Sequence, residues 1–265
     1  MKTILCPVDF SDISANAANY AVRLARDLDA EVILAHVQHV PVLDANTPPS
    51  SVKELMDEQQ LEVSKKLDEM AADIKSHLGG NIRTWQTFGL VVDMIKEVQN
   101  EMSIDLVVMG TKGATNSFDR WIGTTSSDVM ERCDLPVVIV PEGSVYIGWG
   151  KVGYATDFTQ ETDNGILDFQ EFVKPFKSDL TIVHVSNRKV DADEMMAVVK
   201  HFEPVANVDT IAGEDTTQEL NDYVWENDIQ LLALKRHKRS FFGNLFHKSI
   251  TKEIAITTKM PLLVF

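Results

Sequence analysis

The feature that most constrains this chain is that it repeats itself. LCPVDFS at 5–11 returns as GYATDFT at 153–159, so that Asp9, Phe10 and Ser11 face Asp157, Phe158 and Thr159 at an offset of 148. AEVILAHV, ending in His36 and Val37, returns at the same offset as SDLTIVHV, ending in His184 and Val185. Farther along the offset falls to 125: IDLVVMG, ending in Gly110, faces IQLLALK, ending in Lys235, and LPVVIV from Leu135 faces MPLLVF from Met260. The shortening falls between the second and third strands of the second half. Two related halves fit a chain of 265 residues as a pair of ordinary domains. EGSVYIGWG at 142–150 supplies glycines without helical periodicity. It sets the expected domains at 1–143 and 150–265.

Within each half, short apolar runs alternate with longer amphipathic ones. KTILCPV, EVILAHV, RTWQTF, DLVVMG and PVVIVP are rich in Val and Ile and read as buried parallel strands. Between them Ala17, Ala21, Leu24, Ala25 and Leu28 recur at helical spacing, as do Val52, Leu55, Met56, Val63, Leu67, Met70, Ile74 and Leu78. The second half keeps this order with a shorter second helix, expected around Glu194 to Phe202. Such alternation gives right-handed βαβ units with helices on both sheet faces and ligand sites at the carboxyl ends of the strands.

Composition excludes several classes. With 25 Lys and Arg against 40 Asp and Glu, a net charge of −15 disfavours nucleic acid and anionic membranes as partners. Two cysteines make no disulfide framework, and a reducing cytoplasm fits them. MKTILCPVDF is too short in its apolar run for a signal peptide, and no stretch approaches the roughly 18 apolar residues of a membrane span. Cytoplasmic localisation is therefore expected.

The chemistry concentrates in GTKGATNSFDRWIGTTS, which follows the strand ending at Met109. Gly110, Gly113 and Gly123 at this spacing let backbone N–H groups approach a phosphate and permit positive φ. Thr124, Thr125 and Ser126 then open a helix whose free amides face the same anion. Neither a P-loop nor a dinucleotide fingerprint is present.

With this loop, the Pro7-Val8-Asp9-Phe10-Ser11 end of the first strand, His36-Val37 ending the second and the closing Pro136-Val137-Val138-Ile139-Val140-Pro141, the chain resembles the universal stress protein family. The resemblance spans essentially the whole chain as two tandem copies, with the glycine motif intact in the first. It implies an α/β fold of two tandem doubly wound domains, each an open five-stranded parallel sheet of order 3-2-1-4-5 flanked by helices. It also implies an ATP site, with Mg²⁺, in the first domain and none in the second. Carried over, Pro7 and Val8 border the nucleotide, Asp9 holds the ribose hydroxyls or the adenine side, and Val37 offers backbone groups to adenine. Met109 and Gly110 pass the nucleotide toward the loop, while Gly113, Gly123, Thr124 and Thr125 bind phosphates. A carboxylate such as Asp9 suits ribose hydroxyls and repels phosphate, in agreement.

In the second half the three glycines become Lys235, Lys238 and Lys248 within KRHKRSFFGNLFHKS. The favoured reading is a solvated or interface loop that lost binding with its glycines; the alternative is an anion site built from side-chain charge, with Arg236 and Arg239 contributing. His36 and His39 have the spacing of a metal pair, but a strand end sends them apart and no Cys or third His is near. Cys6 and Cys133 read as structural thiols, and Phe118 and Trp121 as ordinary loop aromatics or a nucleotide lid. No nucleophile elbow, H-E-x-x-H or C-x-x-C occurs, so a binding protein acting in stress response or signalling is expected, not an enzyme. A nucleotide hydrolase or adenylyl transferase, and a non-nucleotide interaction module, are the alternatives. The repeat also permits the two sheets to pair within one chain as a pseudo-dimeric monomer, or a homodimer.

Overall fold

A computed structural model describes residues 2–39, 48–111, 124–156, 160–186, 206–236 and 260–265. Its strands are β1 (Lys2–Pro7), β2 (Ala30–Gln38), β3 (Asn81–Phe88), β4 (Leu106–Thr111), β5 (Val137–Pro141), β6 (Lys151–Ala155), β7 (Asp179–Ser186), β8 (Asn207–Ala212), β9 (Leu231–Leu234) and β10 (Leu262–Val264). The helices described are α1 (Asp12–Leu28), α2 (Pro49–Leu78), α3 (Val91–Glu101), α4 (Thr124–Arg132), α5 (Gln160–Val173) and α6 (Thr216–Glu226). The expected helix at Glu194 to Phe202 lies outside the described residues.

Each half has the expected 3-2-1-4-5 order, but the two sheets are one. The strands run β3-β2-β1-β4-β5-β10-β9-β6-β7-β8 in a single open ten-stranded sheet. Every pairing is parallel except β5 with β10, where Val137, Val138 and Ile139 face Val264, Leu263 and Leu262 antiparallel. Those strands are wholly apolar, and as edges they would present unpaired backbone beside buried side chains; pairing them with each other removes both edges.

Strict alternation along the strands sorts side chains to two continuous layers that cross the seam between halves. Ile4, Cys6, Val108, Val138, Tyr154 and Leu263 meet Ala17, Ala21 and Leu24 of α1, Leu67 and Ile74 of α2, and Phe169 of α5. Leu5, Val107, Met109, Val137, Leu232 and Leu262 meet Val92, Ile95 and Val98 of α3, Val129 and Met130 of α4, and Leu220 and Val224 of α6. The apolar stripe expected along α2 is buried only in its second part, since Leu55 is exposed. Within residues 142–150, Tyr146 and Trp149 are packed: Trp149, 1% exposed, donates its indole N–H to the Tyr20 hydroxyl at 2.8 Å, and the Tyr146 hydroxyl donates to Asp27 Oδ2 at 2.6 Å.

The two halves share strand registers at equivalent positions. Ile4 pairs with Leu106 and Val152 with Leu231, the same rung of the ladder in each half. His36 pairs with Gln86, whereas its counterpart His184 pairs with Thr210, so the crossover from second to third strand is where the second half is shorter.

Candidate functional site

The strand order reverses beside β1: the chain leaves it toward β2 and β3 and later returns to its other side as β4. At such a switch point the connections diverge and leave a crevice above the carboxyl ends. Here it is a cleft of about 640 Å³ whose walls include Pro7, Val8, Asp9, Val37, Met109, Gly110 and Thr125. The fold thus gathers seven of the expected site residues. Thr124 supplies the first residue of α4 beside them. Gly113, Gly123, Phe118 and Trp121 lie outside the described residues, as do Asp157, Lys238, Arg239 and Lys248.

One end of the cleft is built by the turn from β1 into α1. Ser11 caps α1, its Oγ accepting from Ser14 N at 3.2 Å, and Phe10 is held at φ 63 in the left-handed region to make the turn. The same Ser11 donates to Asp9 Oδ1 from its hydroxyl at 2.5 Å and from its amide at 3.1 Å. Burial alone would raise the Asp9 carboxyl, but the hydrogen bonds from Ser11 and Ser14 outweigh it and hold the group below its ordinary value. Asp9 is therefore a fixed anion and acceptor at neutral pH.

Beyond it, β1 stops pairing at Pro7 with Ala35, and Val8 N reaches Ala35 O at 2.8 Å. Val37, two residues on, lines the cleft beyond the last β1–β2 pair while still pairing with Thr87 of β3. His36 does not serve as a metal ligand through Nδ1: that nitrogen donates to Val8 O at 2.7 Å, and Phe10 packs on the ring at 4.6 Å. His184 Nδ1 makes the same bond to Thr156 O at 2.8 Å, so both copies of the repeat brace neighbouring strand ends in this way. Among the described residues, no group of three or more His, Cys, Asp or Glu could hold a metal.

The other end is made by β4 and α4. A Cβ on Gly110 would lie 2.7 Å from Ile13 Cγ2 and 2.8 Å from Ile13 O, so the glycine answers to the close approach of α1. The positive φ expected of the loop glycines does not occur at Gly110. Ser126 Oγ donates to Gly110 O at 3.1 Å, tying the first turn of α4 to the strand end. Thr111, 3% exposed and also on the cleft, has an Oγ1 without a hydrogen-bond partner among the described residues. An orphaned hydroxyl beside a helix amino end, with the positive end of the helix dipole, fits the phosphate chain of a nucleotide.

Sequence reasoning missed Ser14, Thr111 and the strip Gly89, Leu90 and Val91, which also line the cleft. The strand-end rule applied to RTWQTF points to that strip, and Thr111 is the neighbour of an assigned glycine. Cys6 is wholly buried, which pushes its thiol up to about 12, and burial likewise raises Cys133; both sit in apolar layers as structural thiols do.

The second half differs at the matching places. Lys235, in the Gly110 position, directs Nζ to Asp168 Oδ2 at 3.3 Å and over the Phe265 ring at 4.8 Å. Arg236 is half-buried at the seam, where it donates through Nη1 to Cys133 O and through Nη2 to Leu135 O at 3.5 Å. Neither is a free member of a solvated basic cluster.

Comparison with known proteins agrees with this geometry. The model of the universal stress protein family matches residues 1–141. A universal stress protein of Methanocaldococcus jannaschii is 32% identical over 142 residues, covering 52% of this chain and 81% of its own. Universal stress protein G of Escherichia coli O157:H7 is 29% identical over 142 residues, covering 52% of this chain and 98% of its own. Among solved structures, a universal stress protein from Archaeoglobus fulgidus aligns with 99% of this chain and 97% of its own at a TM-score of 0.72 and 19% identity, which carries the shared fold through the second half. The match to the first 141 residues decides the matter: the chain belongs to the universal stress protein family.

Proposed function

We propose that the first half binds one ATP, with Mg²⁺, in the cleft above β1 and β4, and that the second half binds none. The observation that carries the reading is the polarity of the cleft. A carboxylate held ionised by Ser11 stands at one end, and the amino end of α4 with the Thr111 hydroxyl, unpartnered among the described residues, stands at the other. Only a ligand with hydroxyl donors at one end and negative charge at the other satisfies both, and a nucleoside phosphate is such a ligand. Asp9 takes the ribose hydroxyls, the Val37 backbone borders the adenine, and the phosphates run past Gly110 to Thr124 and Thr125. Gly113 and Gly123 complete the phosphate loop. Bound Mg²⁺ would neutralise phosphate charge.

The protein acts by binding, not by turnover. The described cleft offers Asp9, His36 and His39 as titratable groups, and the first two are engaged in holding the strand ends. Nucleotide occupancy changes what the protein contacts in a cytoplasmic stress response. In keeping with this, no helix among the described residues is long and apolar enough to cross a membrane.

Titration calorimetry tests the reading. ATP with Mg²⁺ should bind the full chain once, and Asp9→Ala should weaken adenosine and ATP alike by about tenfold or more, the cost of losing a hydrogen bond to a charged group. Unchanged affinity in that variant would remove Asp9 from the site.

A further inference from the structure

We infer that Arg236, contributed by the second half, is a positioning residue for the phosphate end of the first half's cleft and acts through α4. The inference rests on the nucleotide reading just proposed. Its basis is the antiparallel seam. Because β10 opposes β5, the second half is reversed, and the carboxyl end of β9 comes to the edge where β5 begins and α4 ends. Arg236 stands two residues beyond β9, its amide fixed by a 2.7 Å bond to Phe265 O.

From there its guanidinium grips the end of α4. Cys133 N closes the last turn on Val129 O at 2.9 Å, and the Cys133 and Leu135 carbonyls just past that turn accept from Arg236 Nη1 and Nη2. These carbonyls lie just beyond the carboxyl end of α4, and a cation placed beside that end is favourable to the helix dipole. Two acceptors side by side call for a planar fork, which lysine lacks. Arg236 makes no close ion pair with another described residue; the two carbonyls hold its Nη groups and the Asp134 carboxylate also favours its charge.

The other end of α4 is tied to β4 by Ser126 Oγ on Gly110 O. A nine-residue helix is about 13 Å long and moves as a rod. Held at its carboxyl end by the second half, it presents its amino end to the cleft at a fixed height and angle. One position of the repeat thereby serves both sides: Thr111 lines the cleft, and Arg236, its counterpart in the second half, locks the helix that completes it.

Amide hydrogen exchange and calorimetry on the full chain, wild type, Arg236→Met, Arg236→Lys and Lys235→Met, test this. Without ligand, Arg236→Met should speed exchange across residues 124–132 by about fivefold or more, with Arg236→Lys between it and wild type and Lys235→Met unchanged. Arg236→Met should weaken ATP about fivefold while leaving adenosine, which has no phosphate, as in wild type. Exchange in 124–132 equal to wild type in Arg236→Met overturns the inference, and so does an equal loss for ATP and adenosine, which marks general destabilisation. If Arg236→Met does not fold, Arg236→Lys with the same two readouts decides. If ATP binds none of the proteins, the nucleotide reading fails by itself, and the ligand-free exchange still shows whether Arg236 fixes α4.

Discussion

At the carboxyl end of the fourth strand of each half, the two copies solve one packing problem in opposite ways. In the first, β4 carries Gly110 next to its last residue because the backbone of α1 comes close: a Cβ would meet Ile13 O at 2.8 Å. Ala17, one turn on, packs with Cys6 inside the same layer. In the second, β9 is followed by Lys235, and the glycine has moved to the helix. Gly165, the counterpart of Ala17, is where a Cβ would run into the Tyr154 hydroxyl and come within 2.9 Å of Lys235 Cδ. Tyr154, wholly buried, replaces Cys6 and fills the layer with an aromatic that packs among Phe169 and Phe265. The helix is thinned to admit a larger strand residue, and the strand end no longer has to be bare. Losing the glycine is thus part of a repacked layer, in which the two halves keep one fold with different residues at the end of the fourth strand.

The largest effect should come from forcing the second solution onto the first half. Gly110→Lys places a Cβ against the Ile13 backbone, which cannot swing aside, and should cost about 1–3 kcal/mol of stability by overpacking together with all ATP binding. Urea unfolding and calorimetry measure the two losses. A variant as stable as wild type would show that α1 yields, and that the glycine does not answer to packing.

Next comes Gly165→Ala, expected to cost about 1–3 kcal/mol for the same reason. In a Tyr154→Cys background, which copies Cys6, the added methyl should cost much less, so a double-mutant cycle should show clear coupling. Additive losses would break the idea that Gly165 and Tyr154 were exchanged as a pair.

Ser11→Ala should remove about 1 kcal/mol as a lost helix cap and also raise the Asp9 carboxyl toward its ordinary value. The sign follows from the depressed folded value. The stabilisation from ionised Asp9 is complete above the ordinary carboxylate range and drains as pH falls through the lowered value, and Ser11→Ala moves that drain to higher pH. Carbon-13 titration of Asp9 reads it directly, and an unmoved carboxyl in the variant would take Ser11 out of the account.

Lys235→Met should matter least, within about 0.5 kcal/mol, because its partner Asp168 is 67% exposed and water screens the pair. A larger loss in thermal unfolding would make Lys235 a structural anchor of its half.

Much of this is legible in the residues. Strands covered on both faces must be continuous apolar runs, so DLVVMG and PVVIVP stand out, and the paired offsets place each in its half. The cleft follows from chain reversal beside β1, which puts Asp9, Val37 and Gly110 together. Other features carry no local mark. VVIV and LLV read as central strands equally well whether their neighbour is in the same half or the other, so the antiparallel seam is hidden. Arg236 looks like one of a basic run because a cation held by carbonyls has no partner that sequence can name. Thr111 escapes a reading of the sequence because its significance is a buried hydroxyl without a bond to any described residue, which exists only in three dimensions.

The central claim is that the chain has one nucleotide site, in the half that kept its glycine. Native mass spectrometry of the full chain with ATP and Mg²⁺, beside Gly123→Lys, which writes Lys248 into the first half, counts ligands directly. The account predicts one nucleotide per wild-type chain and none in the variant. Two per chain, or one that survives Gly123→Lys, would contradict it.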